Sequence, residues 1–76
     1  MNTVYTIENN LDIGTPYVRT YTVFATDDLE AAKEKFELYK QCCETHTNGD
    51  NNEYILYQWD DGNFCKILDR CDDYGI

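Results

Sequence analysis

Hydrophobic and polar positions alternate with a strand-like period in the first third of the chain. The pattern predicts β-strands over Thr3–Glu8 and Tyr17–Ala25, because both segments are rich in β-branched and aromatic residues. The segment between them, Asn9–Pro16, is rich in turn-forming residues. We therefore expect an N-terminal β-hairpin with a long connection.

The middle of the chain has a helical period. Its apolar positions recur at spacings of three and four residues, which is one stripe of an amphipathic helix. Asp27 followed by Glu30 predicts a capping box at the start, with Thr26 as the competing N-cap. A polar loop over His46–Asn52 ends the pattern. The stripe comprises Leu29, Ala32, Phe36, Tyr39 and Cys43, and Ala31, Leu38 and Cys42 widen it on one side.

The last third again alternates and predicts a second hairpin, with strands over Glu53–Trp59 and Phe64–Asp69. The turn between them holds Asp61-Gly62, a strong hairpin signal because both central positions of such a turn need positive φ. Regular pairing around this turn sets Trp59, Tyr57 and Ile55 opposite Phe64, Lys66 and Leu68 on one face. On the other face it sets Gln58, Leu56 and Tyr54 opposite Cys65, Ile67 and Asp69.

These elements predict an α+β fold of order β-β-α-β-β, in which one amphipathic helix packs on one face of a four-stranded antiparallel sheet. We expect residues 1–76 to form a single domain, with residues 70–76 a flexible acidic tail. The predicted strands place apolar residues on both faces of the sheet. Because one helix cannot cover both faces, we expect one apolar sheet face to stay exposed.

The chain is strongly acidic. Its 76 residues carry a formal net charge of −9, spread along the whole length. Such a field repels nucleic acid and anionic membranes and attracts basic partners, although it can also serve solubility alone. No apolar run reaches the ~18 residues of a membrane span, and no secretory signal is evident at the N-terminus. We therefore expect a cytoplasmic protein.

The cysteines and the single histidine are the candidate metal ligands. Cys42 and His46 share a helix face at i, i+4, which would suit zinc. Cys42 and Cys43, however, point about 100° apart on a helix, and Cys43 belongs to the apolar stripe. We expect no metal and no cofactor. Packed, reduced thiols are the simpler interpretation, although the sequence leaves open the redox state of all four: Cys42, Cys43, Cys65 and Cys71.

No catalytic motif stands out, and we expect a protein that is not an enzyme. The chain has no serine, and a Cys42–His46 pair lacks any supporting motif. The adjacent carboxylates are explained as caps, turns or solvated groups: Asp27 with Asp28, Asp60 with Asp61, and Asp72 with Asp73. The six basic residues are scattered, so direct nucleic-acid binding is excluded as well.

Recognition of another protein through the surface is the function class that remains. Seven tyrosines and one tryptophan are many for so short a chain, and both residue types are enriched at interface cores. Several of these tyrosines can also be ordinary strand residues with a wet hydroxyl.

In size, charge, tyrosine content and lack of enzymatic motifs, the chain resembles the small acidic proteins that phages and mobile elements encode against host defence, including anti-CRISPR proteins and DNA mimics. The resemblance implies an inhibitor that acts in the host cytosol on a basic, nucleic-acid-binding enzyme such as a CRISPR or restriction effector. Carboxylates at phosphate-like spacing would occupy its channel. The candidate partner-binding residues are Glu30, Glu34, Glu37, Tyr57, Trp59, Asp60 and Asp61.

Two alternatives stay open. The protein can be a homodimeric structural or complex subunit, which associates through its uncovered sheet face. It can also be a small thiol- or metal-dependent protein. The leading hypothesis is a protein-binding inhibitor or adaptor that engages a basic protein partner.

Overall fold

The structure, a computed structural model, describes residues 2–12, 15–45 and 52–73, apart from the side chains of residues 42–45, 72 and 73. The elements are β1 (Thr3–Leu11), β2 (Arg19–Thr26), α1 (Leu29–Thr45), β3 (Asn52–Asp60) and β4 (Asn63–Asp73). The strands form one antiparallel sheet in the order β2-β1-β3-β4. The predicted α+β fold and its β-β-α-β-β order are confirmed.

The first strand is longer than predicted. Asn9 and Asn10, which we expected in a turn, belong to β1 because their side chains bond across the sheet. The Asn9 amide donates to the Glu53 carbonyl at 3.2 Å, and the Asn10 amide donates to Glu53 Oε1 at 2.8 Å. The chain leaves the strand only at Asp12, whose φ is 56°. β2 correspondingly begins at Arg19 instead of Tyr17.

The helix begins one capping position later than predicted. Asp28, and not Asp27, is the N-cap, since its Oδ1 accepts the backbone N–H groups of Glu30 at 3.0 Å and Ala31 at 3.3 Å. The Thr26 hydroxyl accepts the N–H of Asp28 at 3.1 Å instead. The sequence alone does not distinguish two adjacent aspartates as caps. Because β2 continues to Thr26, it is Asp28 that directly precedes the first helical residue, Leu29.

Replacing Asp28 by alanine should lower the free energy of unfolding by about 1 kcal/mol, because two backbone N–H groups lose their acceptor. Asp27→Ala is the matched control, since it removes the same charge without removing the cap. We expect it to cost less than half as much. Urea denaturation followed by circular dichroism measures both values, and equal losses would contradict the assignment of the cap.

The core lies between α1 and one face of the sheet. Ile7, Ala32, Phe36 and Leu56 form one buried cluster, in which Ile7 pairs with Leu56 across β1 and β3. The apolar stripe of the helix is confirmed at Ala32 and Phe36. Leu38, which we expected to widen the stripe, is instead 57% exposed. Partly buried residues around the cluster are Tyr5, Phe24, Tyr39, Tyr54, Leu68 and Cys71.

The C-terminal hairpin has the predicted turn and a different register. Asp61 and Gly62 have φ values of 51° and 83°, and Trp59 pairs with Phe64 as expected. Two bulges then each insert one extra residue into β4. Tyr57 therefore pairs with Ile67, not Lys66. The other corrected pairs are Gln58 with Lys66, Leu56 with Asp69, Ile55 with Arg70, and Tyr54 with Cys71.

The bulges exchange two apolar side chains between the faces of the sheet. Leu68 packs against the core cluster on the helix side, whereas we expected it opposite Ile55. Ile67 moves to the other face, where it is 52% exposed beside Tyr57. The face away from the helix thus gains an exposed isoleucine.

Part of the segment predicted as a flexible acidic tail is a strand. Residues 70–73 belong to β4, because Arg70 pairs with Ile55 and the ladder continues to Asp73 opposite Asn52. Residues 74–76 lie outside the described residues, as do 46–51 of the predicted polar loop.

Candidate functional site

The helix covers one face of the sheet, and no other element of the described chain covers the opposite face, which we name the open face. Its side chains come from alternate positions of all four strands. A mainly polar half lies on β2 and β1, and an aromatic and apolar half lies on β3 and β4. The open face consists of Val4, Thr6, Glu8, Asn10, Thr20, Thr22, Ala25, Glu53, Ile55, Tyr57, Trp59, Phe64, Ile67 and Arg70.

Three aromatic rings meet on the open face. Tyr57, Trp59 and Phe64, the aromatic cluster, have ring centroids 5.8–5.9 Å apart and ring planes inclined by 51–81°. The Trp59 indole N–H donates to Thr6 Oγ1 at 2.8 Å, which fixes the orientation of the ring. Phe64 is nonetheless 55% exposed. The cluster is a preorganised apolar surface that faces solvent.

A row of polar side chains crosses the open face beside this cluster. Thr20 donates to Asn10 at 2.6 Å, Asn10 donates to Glu53 at 2.8 Å, and Arg70 Nε donates to Glu53 at 2.5 Å. Each strand supplies one member. Glu53 is only 8% exposed, so its charge depends on these donors. The row ties the sheet together and holds the face rigid.

Two carboxylates flank the aromatic cluster. Burial raises the pKa of the Tyr57 phenol above its usual range, and the nearby charges of Glu53 and Glu8 raise it further. Glu8 Oε2 also accepts the Thr22 hydroxyl at 2.7 Å. Tyr57 therefore keeps its proton at neutral pH, and its hydroxyl lies in a negative environment. A cationic group would find this environment favourable.

The predicted glutamates of the helix lie on the other side of the molecule. Glu30, Glu34 and Glu37 are exposed and, at about 100° per residue, project within about 60° of one another. We name them the helix ridge. The ridge lies on the helix side of the sheet, whereas Tyr57 and Trp59 lie on the open face. One flat partner surface therefore cannot contact both predicted sets.

Asp60 and Asp61 lie at the tip of the C-terminal hairpin, where their carboxylate oxygens already accept hydrogen bonds from within the protein. Thr3 donates to Asp60 Oδ1 at 2.9 Å, and the Asn2 N–H donates to Asp61 Oδ1 at 2.8 Å. The hydrogen bond from Thr3, with further ones from Cys65 and Gln58, holds the pKa of Asp60 below its usual range. These bonds tie the tip to the N-terminal segment and leave fewer oxygens for a partner.

The Cys65 thiol is not activated. The hydrogen bond to Asp60 raises the pKa of the exposed Cys65 thiol, which disfavours the nucleophilic thiolate. No cluster of metal ligands occurs within the described residues. The predicted metal candidates Cys42, Cys43 and His46 fall outside the described side chains.

A cleft of about 230 Å³ lies between α1 and β4. Phe36, Leu56 and Leu68 form its apolar lining, with Lys33, Glu37 and Asp69 around them. Lys40 bridges to Asp69 at 3.3 Å, and a hydrogen bond from Lys40 to that carboxylate raises the pKa of the lysine. At this volume the cleft falls below the range usual for small-molecule sites. The open face is the larger candidate surface.

Sequence reasoning found Tyr57 and Trp59 but missed their neighbours on the same face. Phe64 was placed opposite Trp59 without being chosen as a site residue, and Ile67 was placed on the wrong face. The polar alternation of Thr6, Glu8 and Asn10 was the available signal for one solvated sheet face. No alternation of this kind indicated that Glu53 lies on the open face.

No family model, no curated protein and no solved structure matches this chain. The helix in the described part of the chain is not long and apolar enough to cross a membrane.

Proposed function

We propose that the protein is a protein-binding inhibitor or adaptor that engages a basic partner protein through its open face. The observation that supports this most directly is the aromatic cluster. Tyr57, Trp59 and Phe64 are held against one another on a rigid sheet, with Phe64 55% exposed. Tryptophan and tyrosine are the residues that most often carry the binding energy of an interface.

The net charge of the chain favours a basic partner. A formal net charge of −9 speeds encounter with a basic surface and opposes encounter with acidic proteins and nucleic acid. Glu8 places part of that charge beside Tyr57, whereas the charge of Glu53 is paired with Arg70. A nucleic-acid-binding enzyme of a host, the target implied by the family resemblance, has such a basic surface.

The helix ridge has a secondary role in this proposal. Glu30, Glu34 and Glu37 add to the long-range field, but they lie away from the open face. Exposed charges more than ~8–10 Å from a contact are largely screened at physiological ionic strength. The ridge should therefore affect the association rate more than the stability of the complex.

The second candidate, a homodimer that pairs two open faces, is less favoured by the same geometry. Phe64 and Ile67 provide apolar surface for it. In a symmetric face-to-face pair, however, the Glu8 carboxylates of the two copies would share a desolvated interface, and like charges there cost energy. A basic partner converts this repulsion into attraction.

The test is a selection from a random dodecapeptide library for binders of the protein. We expect the selected peptides to be rich in arginine and lysine and to bind more weakly as salt is added. Phe64→Ala should weaken them roughly 30-fold, the effect of losing a hot-spot side chain of about 2 kcal/mol. Trp59, the only tryptophan, provides the fluorescence signal.

Leu38→Ala is the matched control, because Leu38 is 57% exposed and lies on the helix. It should leave the affinity unchanged. Replacing Glu30, Glu34 and Glu37 together by glutamine should weaken binding less than Phe64→Ala does. Binding that survives Phe64→Ala but is lost in the triple variant would move the site to the helix ridge and contradict the proposal.

A further inference from the structure

The Trp59 indole lies close to a carboxylate on the open face. Its N–H donates to Thr6 Oγ1 at 2.8 Å, which holds the ring beside β1. Glu8 is the next residue of β1 on the same face, roughly 6.6 Å along the strand from Thr6. Tyr57 pairs with Thr6 from β3 and borders the same part of the face. An anchored aromatic ring and an acidic group are therefore within reach of one long side chain.

The charge of Glu8 is not balanced by a cation in the described part of the chain. Glu8 Oε2 accepts the Thr22 hydroxyl, a neutral donor, at 2.7 Å. Glu53, the other buried or partly buried glutamate of the open face, is instead paired with Arg70. A partner that covers the open face removes water from the Glu8 carboxylate. Such a partner must supply a positive group there, because an uncompensated buried charge is costly.

The aromatic cluster offers a surface and not a cage. Its ring centroids are 5.8–5.9 Å apart, a separation at which aromatic rings contact one another. A cation therefore cannot be enclosed between the three rings and must lie against their outer faces. Trp59 and Tyr57 are partly exposed and Phe64 is 55% exposed, so part of this ring surface is open to solvent.

We propose that Trp59, Tyr57 and Glu8 form an arginine site, which binds an arginine side chain of the partner protein. This inference rests on the proposed function and specifies which basic side chain the open face recognises. A planar guanidinium stacks on an aromatic face and presents several N–H donors to a carboxylate. Tryptophan is the best aromatic partner for a cation. The ammonium of lysine is compact and more strongly hydrated, so it gains less from the same surface.

Both parts of the arginine site are held in position before a partner binds. Thr6 orients the Trp59 ring, and the hydrogen bond from Thr22 restricts rotation of the Glu8 carboxylate. A carboxylate oxygen accepts more than one hydrogen bond, so the Thr22 hydroxyl leaves acceptor positions for a guanidinium. Groups that are already ordered lose less conformational entropy on binding.

Two dodecapeptides that alternate glycine with a basic residue test the site, one built with arginine and the other with lysine. Both carry the same charge, so a difference in affinity reports the contact and not the long-range attraction. We expect the arginine peptide to bind about fivefold more tightly, which corresponds to about 1 kcal/mol. Trp59 fluorescence follows both titrations. The δ-methylene protons of the bound arginine should also shift upfield in NMR spectra, because they lie over an aromatic ring.

Glu8→Gln should reduce the preference for arginine to less than about twofold, because the charged partner of the guanidinium is removed. Glutamine keeps an oxygen that accepts the Thr22 hydroxyl, so we expect the variant to fold, and thermal unfolding checks this. Glu34→Gln is the matched control, since it removes the same charge from the helix ridge. It should leave the preference for arginine unchanged.

Failure of this inference and failure of the proposed function give different results. Equal affinities for the two peptides, both still weakened by Phe64→Ala, would overturn the arginine site and leave the proposed function intact. A preference for arginine that survives Glu8→Gln unchanged would also overturn the site. If neither these two peptides nor any selected peptide binds the protein, both proposals are contradicted.

Discussion

Replacing Phe36 by alanine should lower the free energy of unfolding by about 3–5 kcal/mol. Phe36 is 2% exposed and lies in the buried cluster with Ile7, Ala32 and Leu56. A small domain has only about 5 kcal/mol of total stability or little more, so the variant should be largely unfolded at physiological temperature. Thermal unfolding followed by circular dichroism measures the loss.

Leu38→Ala is the control for this prediction. Leu38 lies two positions further along the same helix and is 57% exposed, so its truncation should change the stability by no more than about 0.5 kcal/mol. Similar losses at the two positions would show that the helix packs on the sheet with a different face.

Arg70→Ala should also lower the free energy of unfolding. It removes the cation beside the Glu53 carboxylate, which is 8% exposed, and leaves Asn10 as the described side-chain donor to Glu53 Oε1. Losing a charged hydrogen bond of this kind costs about 1.5–3 kcal/mol. The Arg70 side chain is 49% exposed, so solvent screening places the expected loss at the lower end.

A second substitution tests whether the loss of stability comes from the charge of the Glu53 carboxylate. Adding Glu53→Gln to Arg70→Ala removes the carboxylate charge that Arg70 no longer balances and should recover much of the lost stability. Urea denaturation of the two single variants and the double variant gives the coupling energy between the two side chains. Strictly additive losses would mean that the pair contributes little to the fold.

The fold was predictable where the signals were local. Helical spacing gave α1, and Asp61-Gly62 gave the hairpin turn, because each depends on residues close in sequence. The register of β4 was not predictable, since its two bulges depend on packing across the sheet and not on residues close in sequence. The length of β1 was also missed, because Asn9 and Asn10 favour turns locally and are held in the strand by Glu53 from β3.

The candidate surface was partly predictable for the same reason. An excess of apolar residues over what one helix covers indicated an exposed sheet face, and Tyr57 and Trp59 do lie there. Which acidic residues accompany them depends on strand order, which the sequence does not encode locally. Glu8 and Glu53 meet beside Tyr57 only because β1 lies next to β3. The helix ridge is also acidic, but it lies on the helix side of the sheet, away from Tyr57 and Trp59.

The most direct test of the open-face proposal is a map of backbone amide chemical shifts while a selected basic peptide is added to the protein. We expect the largest changes at Tyr57, Trp59, Phe64 and Ile67, with small changes on the helix. Changes concentrated at Glu30, Glu34 and Glu37, with the open face unaffected, would contradict the proposal.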